Sequence, residues 1–286
     1  MPEPTLKNSP SKIPLARELL RRYELKAKKS LGQNFLADPK IAEKIVSLSE
    51  LPSGKTVVEL GVGLGTLTYA LAKVAKRVIG FELDQNLIEI LEKERFLPPN
   101  VEIRHGDILK LDYQALAEEI GEKLIIFGNL PYYLSSRLLW NLIQERKDID
   151  FCVFMFQKEV AERLMARPGT KDYGPLSVLL ALTAKVKKLM ELSPGCFYPP
   201  PEVRSSLIKI KFINNSLPNE KELLKVLKAS FASRRKKLVT NLKALGLSKE
   251  EARNLLEEIN VSSNARAEEL SPEKFLALAE KLSRDE

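Results

Sequence analysis

The stretch Val57-Val58-Glu59-Leu60-Gly61-Val62-Gly63-Leu64-Gly65-Thr66 constrains this 286-residue chain most. β-Branched and apolar residues run into Gly-x-Gly-x-Gly, and an apolar-periodic segment follows. The pattern predicts a buried parallel strand, a tight glycine turn and a helix start. With no Cβ in the way, such a turn lets backbone approach a ligand closely. A second landmark, Phe127-Gly128-Asn129-Leu130-Pro131-Tyr132, also follows an apolar run. Both are expected at the carboxyl edge of one sheet, where α/β folds bind ligands.

The flanking sequence repeats the strand–helix alternation. Strands are expected at 56–60, 77–82, 101–104, 124–128 and 149–156, with helices near 66–75, after Asp84, and near 113–120 and 135–145. Upstream, Asp38-Pro39 is a cap followed by proline at the first helical position. Repeated βα units with short loops imply an α/β fold, a parallel sheet with helices on both faces. Residues 174–184 read as helix, and 185–191 and 204–213 as strands. In the last, Ile208, Ile210 and Phe212 alternate with Lys209 and Lys211, the period of a half-buried strand. Residues 214–219 make a linker. Beyond it Leu223, Leu227, Phe231, Leu238, Leu242 and Leu245 recur at helical steps, Ser248-x-x-Glu251 is a capping box and Ser271-Pro272 starts a last helix. The expected organisation is a basic, mobile arm at 1–25 (with a short helix at 14–23), an α/β domain at 26–213 and a helical domain at 217–286.

Composition narrows the chemistry. Only one histidine, His105, is present, which argues against a zinc site or a histidine-based triad, so no metal is expected. Cys152 and Cys196 are far apart and suit a reducing cytoplasm. No apolar run approaches the ~20 residues of a membrane span, and the N-terminus lacks the apolar region of a secretory signal. The net charge of +8 is unevenly placed, with residues 1–29 carrying eight Lys/Arg against three Asp/Glu. A basic arm on a near-neutral body suggests a polyanion partner, nucleic acid first; a solvated tail is the alternative.

Gly61-x-Gly63-x-Gly65 is not the G-x-G-x-x-G dinucleotide fingerprint, and alone it is equally a structural turn. Glu82 adds weight. It ends the next strand, where a carboxylate can accept from ribose hydroxyls. Asp107 ends the third strand and can accept from an adenine amino group. These residues suit an adenosine-containing cofactor with no pyrophosphate to cradle, such as S-adenosyl-L-methionine. Asn129-Leu130-Pro131-Tyr132 then suggests the reaction. The exocyclic amine of adenine is a poor nucleophile, because its lone pair is delocalised into the ring. Acceptors at the Asn129 side chain and the Leu130 carbonyl, held by a rigid proline, would favour a tetrahedral nitrogen, and Tyr132 offers a face for an unstacked base. Catalysis would rest on positioning and electrostatics. Phe197, in Phe197-Tyr198-Pro199-Pro200-Pro201, can stack the other face of the base or pack in the core. Arg234, Arg235, Lys236 and Lys237, read as lying on the first C-terminal helix, are candidate RNA-phosphate contacts, as are Lys28 and Lys29; solvated helix and loop faces are the alternative.

With these motifs in order, the chain resembles the KsgA-type small-subunit ribosomal RNA adenine N6-dimethyltransferases from about residue 26 to the end. The carrying segments are Lys29–Leu36, Val58–Gly65, Phe81–Asp84, Gly106-Asp107 and Asn129–Tyr132, extended by Gln157–Val160, Tyr173–Ser177, Phe197–Pro201 and Phe231–Lys236. The resemblance implies a Rossmann-like methyltransferase sheet with an antiparallel last strand, plus a small helical domain. It implies S-adenosyl-L-methionine contacts at Asn34, Leu36, Gly61, Glu82, Asp107 and Asn129, with Asn129 to Tyr132 holding the adenine and Phe197 helping to stack it. The implied substrate is a pair of adjacent adenines in the 3′-terminal hairpin of small-subunit (16S) rRNA, each methylated twice within an assembling 30S subunit. Nothing in the chain suggests an obligate dimer, so a monomer is expected, in the cytoplasm that the cysteines suit. Tyr133 stands where many members have Asn. Two alternatives stay open: a large-subunit rRNA methyltransferase of the macrolide-resistance type, and a mainly non-catalytic assembly factor.

Overall fold

The computed structural model describes residues 13–131, 134–213 and 216–284. In chain order the strands are β1 (Phe35–Leu36), β2 (Thr56–Leu60), β3 (Arg77–Glu82), β4 (Val101–His105), β5 (Leu124–Asn129), β6 (Ile149–Gln157), β7 (Ala184–Leu192), β8 (Phe197–Tyr198) and β9 (Ser205–Phe212). The helices are α1 (Ala16–Arg22), α2 (Pro39–Ser49), α3 (Thr66–Ala72), α4 (Gln85–Glu94), α5 (Tyr113–Ile120), α6 (Ser135–Gln144), α7 (Lys158–Leu164), α8 (Pro175–Thr183), α9 (Glu220–Ser230), α10 (Leu238–Asn241), α11 (Lys249–Glu258) and α12 (Pro272–Arg284). Side-chain oxygens cap α2, α4, α5 and α11 from Asp38, Asp84, Asp112 and Ser248, as short polar residues before apolar periods should.

The chain forms two compact units. One combines residues up to Lys158 with Lys187–Lys211; the other combines Glu159–Val186 with Phe212 onward. The seven-stranded sheet has the order β4-β3-β2-β5-β6-β9-β7. Strands β2 to β6 pair in parallel, and β9 runs antiparallel to β6. The sheet is therefore mixed, and its last strand runs as the resemblance implied.

Among the apolar clusters of the first unit, two bear on the site. In one, Ala42, Ile45 and Val46 of α2 and Leu67 and Leu71 of α3 cover Val57, Val78, Ile125, Phe127 and Val153 of the sheet. In the other, Ile13, Ala16, Leu19 and Leu20 pack with Leu87, Ile90 and Leu91 of α4 and with Phe35, Val62 and Leu64. This second cluster corrects the expectation of a mobile arm through residue 25. Residues 13–25 are docked, with Leu19 fully buried. Their apolar residues lie on one face at helical spacing, hidden in the sequence among charges that face outward. Arg22 and the Tyr23 hydroxyl both bond Glu94, at 2.6 and 2.9 Å. Residues 1–12 lie outside the described residues.

The second unit is helical. Helix α12 packs against both α9 and α8, and Tyr173, Phe231 and Phe275 form a run of ring contacts 5.6–6.2 Å apart. A cut near residue 215 would assign α7 and α8 to the sheet domain, whereas their contacts group them with the C-terminal helices. Helix α7 itself follows β6 with no break in the sequence and was not anticipated. Strands β7 and β9 return the chain to the sheet between the two helical segments, so membership follows packing rather than sequence order.

Candidate active site

The parallel strands leave β2 in two directions, towards β3 and β4 on one side and β5 and β6 on the other. The sheet edge outside β2 and β5 is thus a topological switch point, the crevice in which α/β folds take ligands. A cavity of about 840 Å³, open mouth included, lies there; concave, mainly apolar clefts with a few convergent polar groups are the usual small-molecule sites. Glu59, Gly61 and Gly63 reach it from the end of β2 and the following turn, Glu82 from β3, Asp107 from the turn after β4, Asn129 and Pro131 from β5 and its turn, and residues 31–36 from the N-terminal segment.

The turn after β2 works through backbone. Gly61, Gly63 and Gly65 all have positive φ, at +80°, +59° and +78°, where a Cβ would be strained. A Cβ on Gly63 would stand 2.9 Å from the Phe35 ring. One on Gly61 would meet only the Asn129 carbonyl oxygen, at 4.0 Å, so protein leaves the space over Gly61 unfilled. Gly128 is needed for another reason: its Cβ would lie 2.8 Å from the Leu60 carbonyl oxygen.

Glu82 is held by three backbone donors. Its Oε2 accepts from Gly63 N–H at 2.8 Å, and its Oε1 from Leu83 and Asp84 N–H, each at 2.9 Å. Burial raises its pKa above the usual carboxylate range, against the pull of these donors. Asp107 Oδ1 accepts from Leu109 N–H at 3.0 Å and so is oriented by its own turn. The Asn129 side chain donates from Nδ2 to the Asn34 carbonyl at 2.6 Å. This fixes which end of the amide does what: the nitrogen is committed to Asn34, and Oδ1 is the end suited to accept from a ligand. The Leu36 carbonyl accepts from the buried Thr66 hydroxyl, tying the N-terminal segment to the start of α3.

One residue that the sequence reading passed over also lines the cavity. Glu59 is 1% exposed, and its Oε2, like the Thr68 hydroxyl beside it, lacks a hydrogen-bond partner of regular geometry among the described residues. Burial pushes its pKa up to about 8; the Thr68 hydroxyl works against the rise and the Glu82 carboxylate adds to it. The signal was legible, since an acidic residue inside Val57-Val58-Glu59-Leu60 breaks the apolar run of a buried strand. Among the described residues the cavity lining holds three carboxylates, Glu59, Glu82 and Asp107, and no lysine or arginine. A pyrophosphate would find no side-chain countercharge there. A ligand that presents hydroxyls, an amino group or a positive charge finds acceptors throughout.

The structure brings six candidates together here: Asn34, Leu36, Gly61, Glu82, Asp107 and Asn129. Leu130 is buried beside them and Pro131 lines the cavity; Tyr132 lies outside the described residues. Phe197 is not at the cavity. It is 3% exposed and packs in the core cluster with Leu36, Ile45 and Leu207. The β8 register pairs Phe197 with Leu36, and this seats the side chain inward. The basic run 233–237 falls in the turn after α9, not on a helix. The Asn241 amide donates to the Ser230 and Ser233 carbonyls at 2.6 and 2.9 Å and closes α9 before the run begins. Arg234 bonds the Lys171 and Tyr173 carbonyls and faces Glu268, and Lys237 bonds Asn264. Arg235 and Lys236 are exposed and make no ion pair among the described residues. Lys28 is paired with Asp84 at 2.7 Å.

A sheet of this order with an acidic, glycine-rooted cavity at the switch point is that of a Rossmann-like methyltransferase. Comparison with known proteins narrows the class. The model of the family described as "Ribosomal RNA adenine dimethylase" matches residues 24–284, and the chain belongs to that family of enzymes. A "Ribosomal RNA small subunit methyltransferase A" from Syntrophus aciditrophicus is 42% identical over 274 residues, covering 93% of this chain and 98% of the relative. Among solved structures, a dimethyladenosine transferase from Plasmodium falciparum is similar at TM-score 0.75 and 28% identity, over 87% of this chain and 98% of that one. The 23S rRNA methyltransferase ErmE shares the fold at TM-score 0.64 and 24% identity, over 87% of this chain and all of that one.

Proposed function

We propose that the protein uses S-adenosyl-L-methionine to dimethylate N6 of two adjacent adenines in the 3′-terminal hairpin of small-subunit rRNA, within the assembling 30S subunit in the cytoplasm, as a monomer. The observation that carries the reading is the polar part of the cavity lining: carboxylates and amides set in largely apolar walls, with no cation among the described residues to hold a phosphate. S-Adenosyl-L-methionine fits that donor set, since it offers a ribose diol, an adenine amine and positive charge, and supplies an electrophilic methyl group when bound. Glu82 would receive the ribose hydroxyls, Asp107 the adenine amine, and Asn34, Leu36 and Gly61 the amino-acid end. Full-length coverage of a relative named for the small subunit supports that subunit over the large one.

The chain's own groups suit a poorly nucleophilic amine. With Nδ2 committed to Asn34, the Asn129 oxygen accepts from the target amine, and Pro131 stiffens the turn that presents the Leu130 carbonyl. Two acceptors aimed at the amine hydrogens draw the lone pair out of conjugation, and fixed dipoles do this without reorganising in the transition state. Among the described residues no helix is long and apolar enough to cross a membrane. The test is transfer of labelled methyl groups to unmethylated small subunits, with large subunits in parallel and the modified nucleosides identified after digestion. Dimethyladenosine at adjacent small-subunit positions is expected. Label in large subunits alone would assign the chain to the large-subunit branch. No label with tight subunit binding would leave an assembly factor.

A further inference from the structure

The Asp84 carboxylate accepts as many hydrogen bonds as that of Glu82, three, yet it does not line the cavity. Its Oδ1 accepts from Lys28 Nζ at 2.7 Å and from Asn86 N–H at 3.3 Å, and its Oδ2 accepts from Gln33 Nε2 at 2.9 Å. Gln33 in turn accepts from Lys28 N–H at 2.8 Å, which closes a ring of contacts between the N-terminal segment and the start of α4. The Asp84 side chain is 4% exposed. Its own N–H is one of the three donors on Glu82. One residue therefore joins three parts: the wall that contains Asn34 and Leu36, the Glu82 carboxylate, and the cap of α4.

The wall has few other polar ties to the cavity rim. Residues 31–36 line the cavity, Asn34 O receives Asn129 Nδ2, and the Phe35 ring lies over Gly63. Beyond Asp84, the segment is anchored at one end by α1 on α4 and at the other by β1 on β8. Between those anchors, the Asn34 and Leu36 carbonyls accept from the Asn129 amide and the Thr66 hydroxyl, and the side-chain hydrogen bonds that leave the segment, among the described residues, are those of Lys28 and Gln33 to Asp84.

We propose that Asp84, with Lys28 and Gln33, is a latch that holds residues 28–36 closed against the cofactor pocket and so positions Asn34 and Leu36 for S-adenosyl-L-methionine. The inference rests on the cofactor reading above. It also reassigns Lys28 from RNA contact to cofactor-site positioning. Burial alone would push the Asp84 pKa up, but Lys28 and Gln33 outweigh it and hold it below the usual carboxylate range, so the latch is charged at neutral pH.

Two variants separate latching from capping. Lys28→Met removes the charge partner and leaves Asp84 to cap α4. Asp84→Asn keeps a good cap residue but removes the charge. S-Adenosyl-L-methionine affinity would be measured by calorimetry on the full-length protein, with thermal midpoints of the ligand-free proteins alongside. If opening leaves the closed wall populated about a tenth of the time, apparent Kd rises roughly tenfold. Both single variants are expected to show that rise and the double variant no more than either single; ligand-free Lys28→Met should melt below wild type, because a buried carboxylate loses its cation, yet stay folded at the temperature of the titrations. Bound cofactor should also slow tryptic cleavage at the wall in wild type and protect the variants less. Unchanged Kd in Lys28→Met overturns the latch while the cofactor reading stands. Additive losses in the double variant overturn it as well. Failure of wild type to bind S-adenosyl-L-methionine overturns the cofactor reading itself, and the latch with it.

Discussion

The two units use charged residues in opposite ways. In the first, buried carboxylates gather at the ends of parallel strands: Glu59 and Glu82 are 1% and 7% exposed. They stay there because backbone N–H groups satisfy Glu82 and because burial holds Glu59 towards its neutral form. In the second, the most conspicuous cluster is basic, lies in an exposed turn, and is partly consumed by structure, as Arg234 and Lys237 hold neighbouring loops. A motif at a strand end reads as a site because the backbone sets where it must be. A charge run in a turn has no such constraint, and each side chain must be located before its use is known.

The largest expected effect that would test this contrast is Asn129→Ala. The Asn129 amide is placed by Asn34, so its loss should reduce methyl transfer at least ~10²-fold, the usual scale for removing one preorganised group. The thermal midpoint should barely change. A comparable fall in midpoint would mean that the residue serves the fold instead. Gly128→Ala comes next. A Cβ 2.8 Å from the Leu60 carbonyl oxygen must push two parallel strands apart, which should cost roughly 1–3 kcal/mol in denaturant unfolding.

Glu59→Gln probes the acidic side through pH. Because the Glu59 pKa is raised to about 8 from an ordinary 4.5, between those values the folded state holds a proton that the unfolded state has released. Stability is therefore full below the unfolded pKa and falls as pH rises, by up to ~1.4 kcal/mol per unit, until the folded group ionises. Urea titrations from pH 5 to 9 should show that decline in the parent and a flatter line in Glu59→Gln. Equal slopes would show that Glu59 does not titrate there. The smallest effects belong to the basic turn. Arg234→Ala should cost ~1–2 kcal/mol of stability through its carbonyl bonds and leave RNA affinity nearly unchanged. Lys236→Ala should leave stability alone and reduce the salt slope of RNA binding by about one. The reverse result for the pair would erase the distinction between the two units.

Much of the first unit was legible beforehand. The five parallel strands and the caps at Asp38 and Asp84 follow from period, β-branching and short polar residues before apolar runs, and all of these are local. The converging site residues were legible because strand ends place them at a common edge. The buried role of Phe197 was not, because only the β1–β8 register decides which way that ring faces. Docking of residues 13–25 was hidden because charges dominate their composition while four apolar side chains decide their fate. The grouping of α7 and α8 with the C-terminal helices was hidden because α8 is apolar nearly all round. Such a helix must be buried, but its sequence does not name its partner.

The sequence by itself determined the strand–turn–helix units, the glycine turn, the strand-end acids and the Asn129-Leu130-Pro131 turn, because backbone conformation and hydrophobic period act over a few residues. Only the tertiary structure decided which of those residues share a cavity, that Glu59 is among them, that Lys28 spends its charge on Asp84, and that Arg234 and Lys237 of the basic turn are engaged by neighbouring loops while the Arg235 and Lys236 side chains have neither ion pair nor hydrogen bond among the described residues. Those outcomes depend on contacts between segments well separated in the chain, 27 residues for Lys237 with Asn264 and 95 for Asn129 with Asn34, where burial and pairing set the cost of every charge.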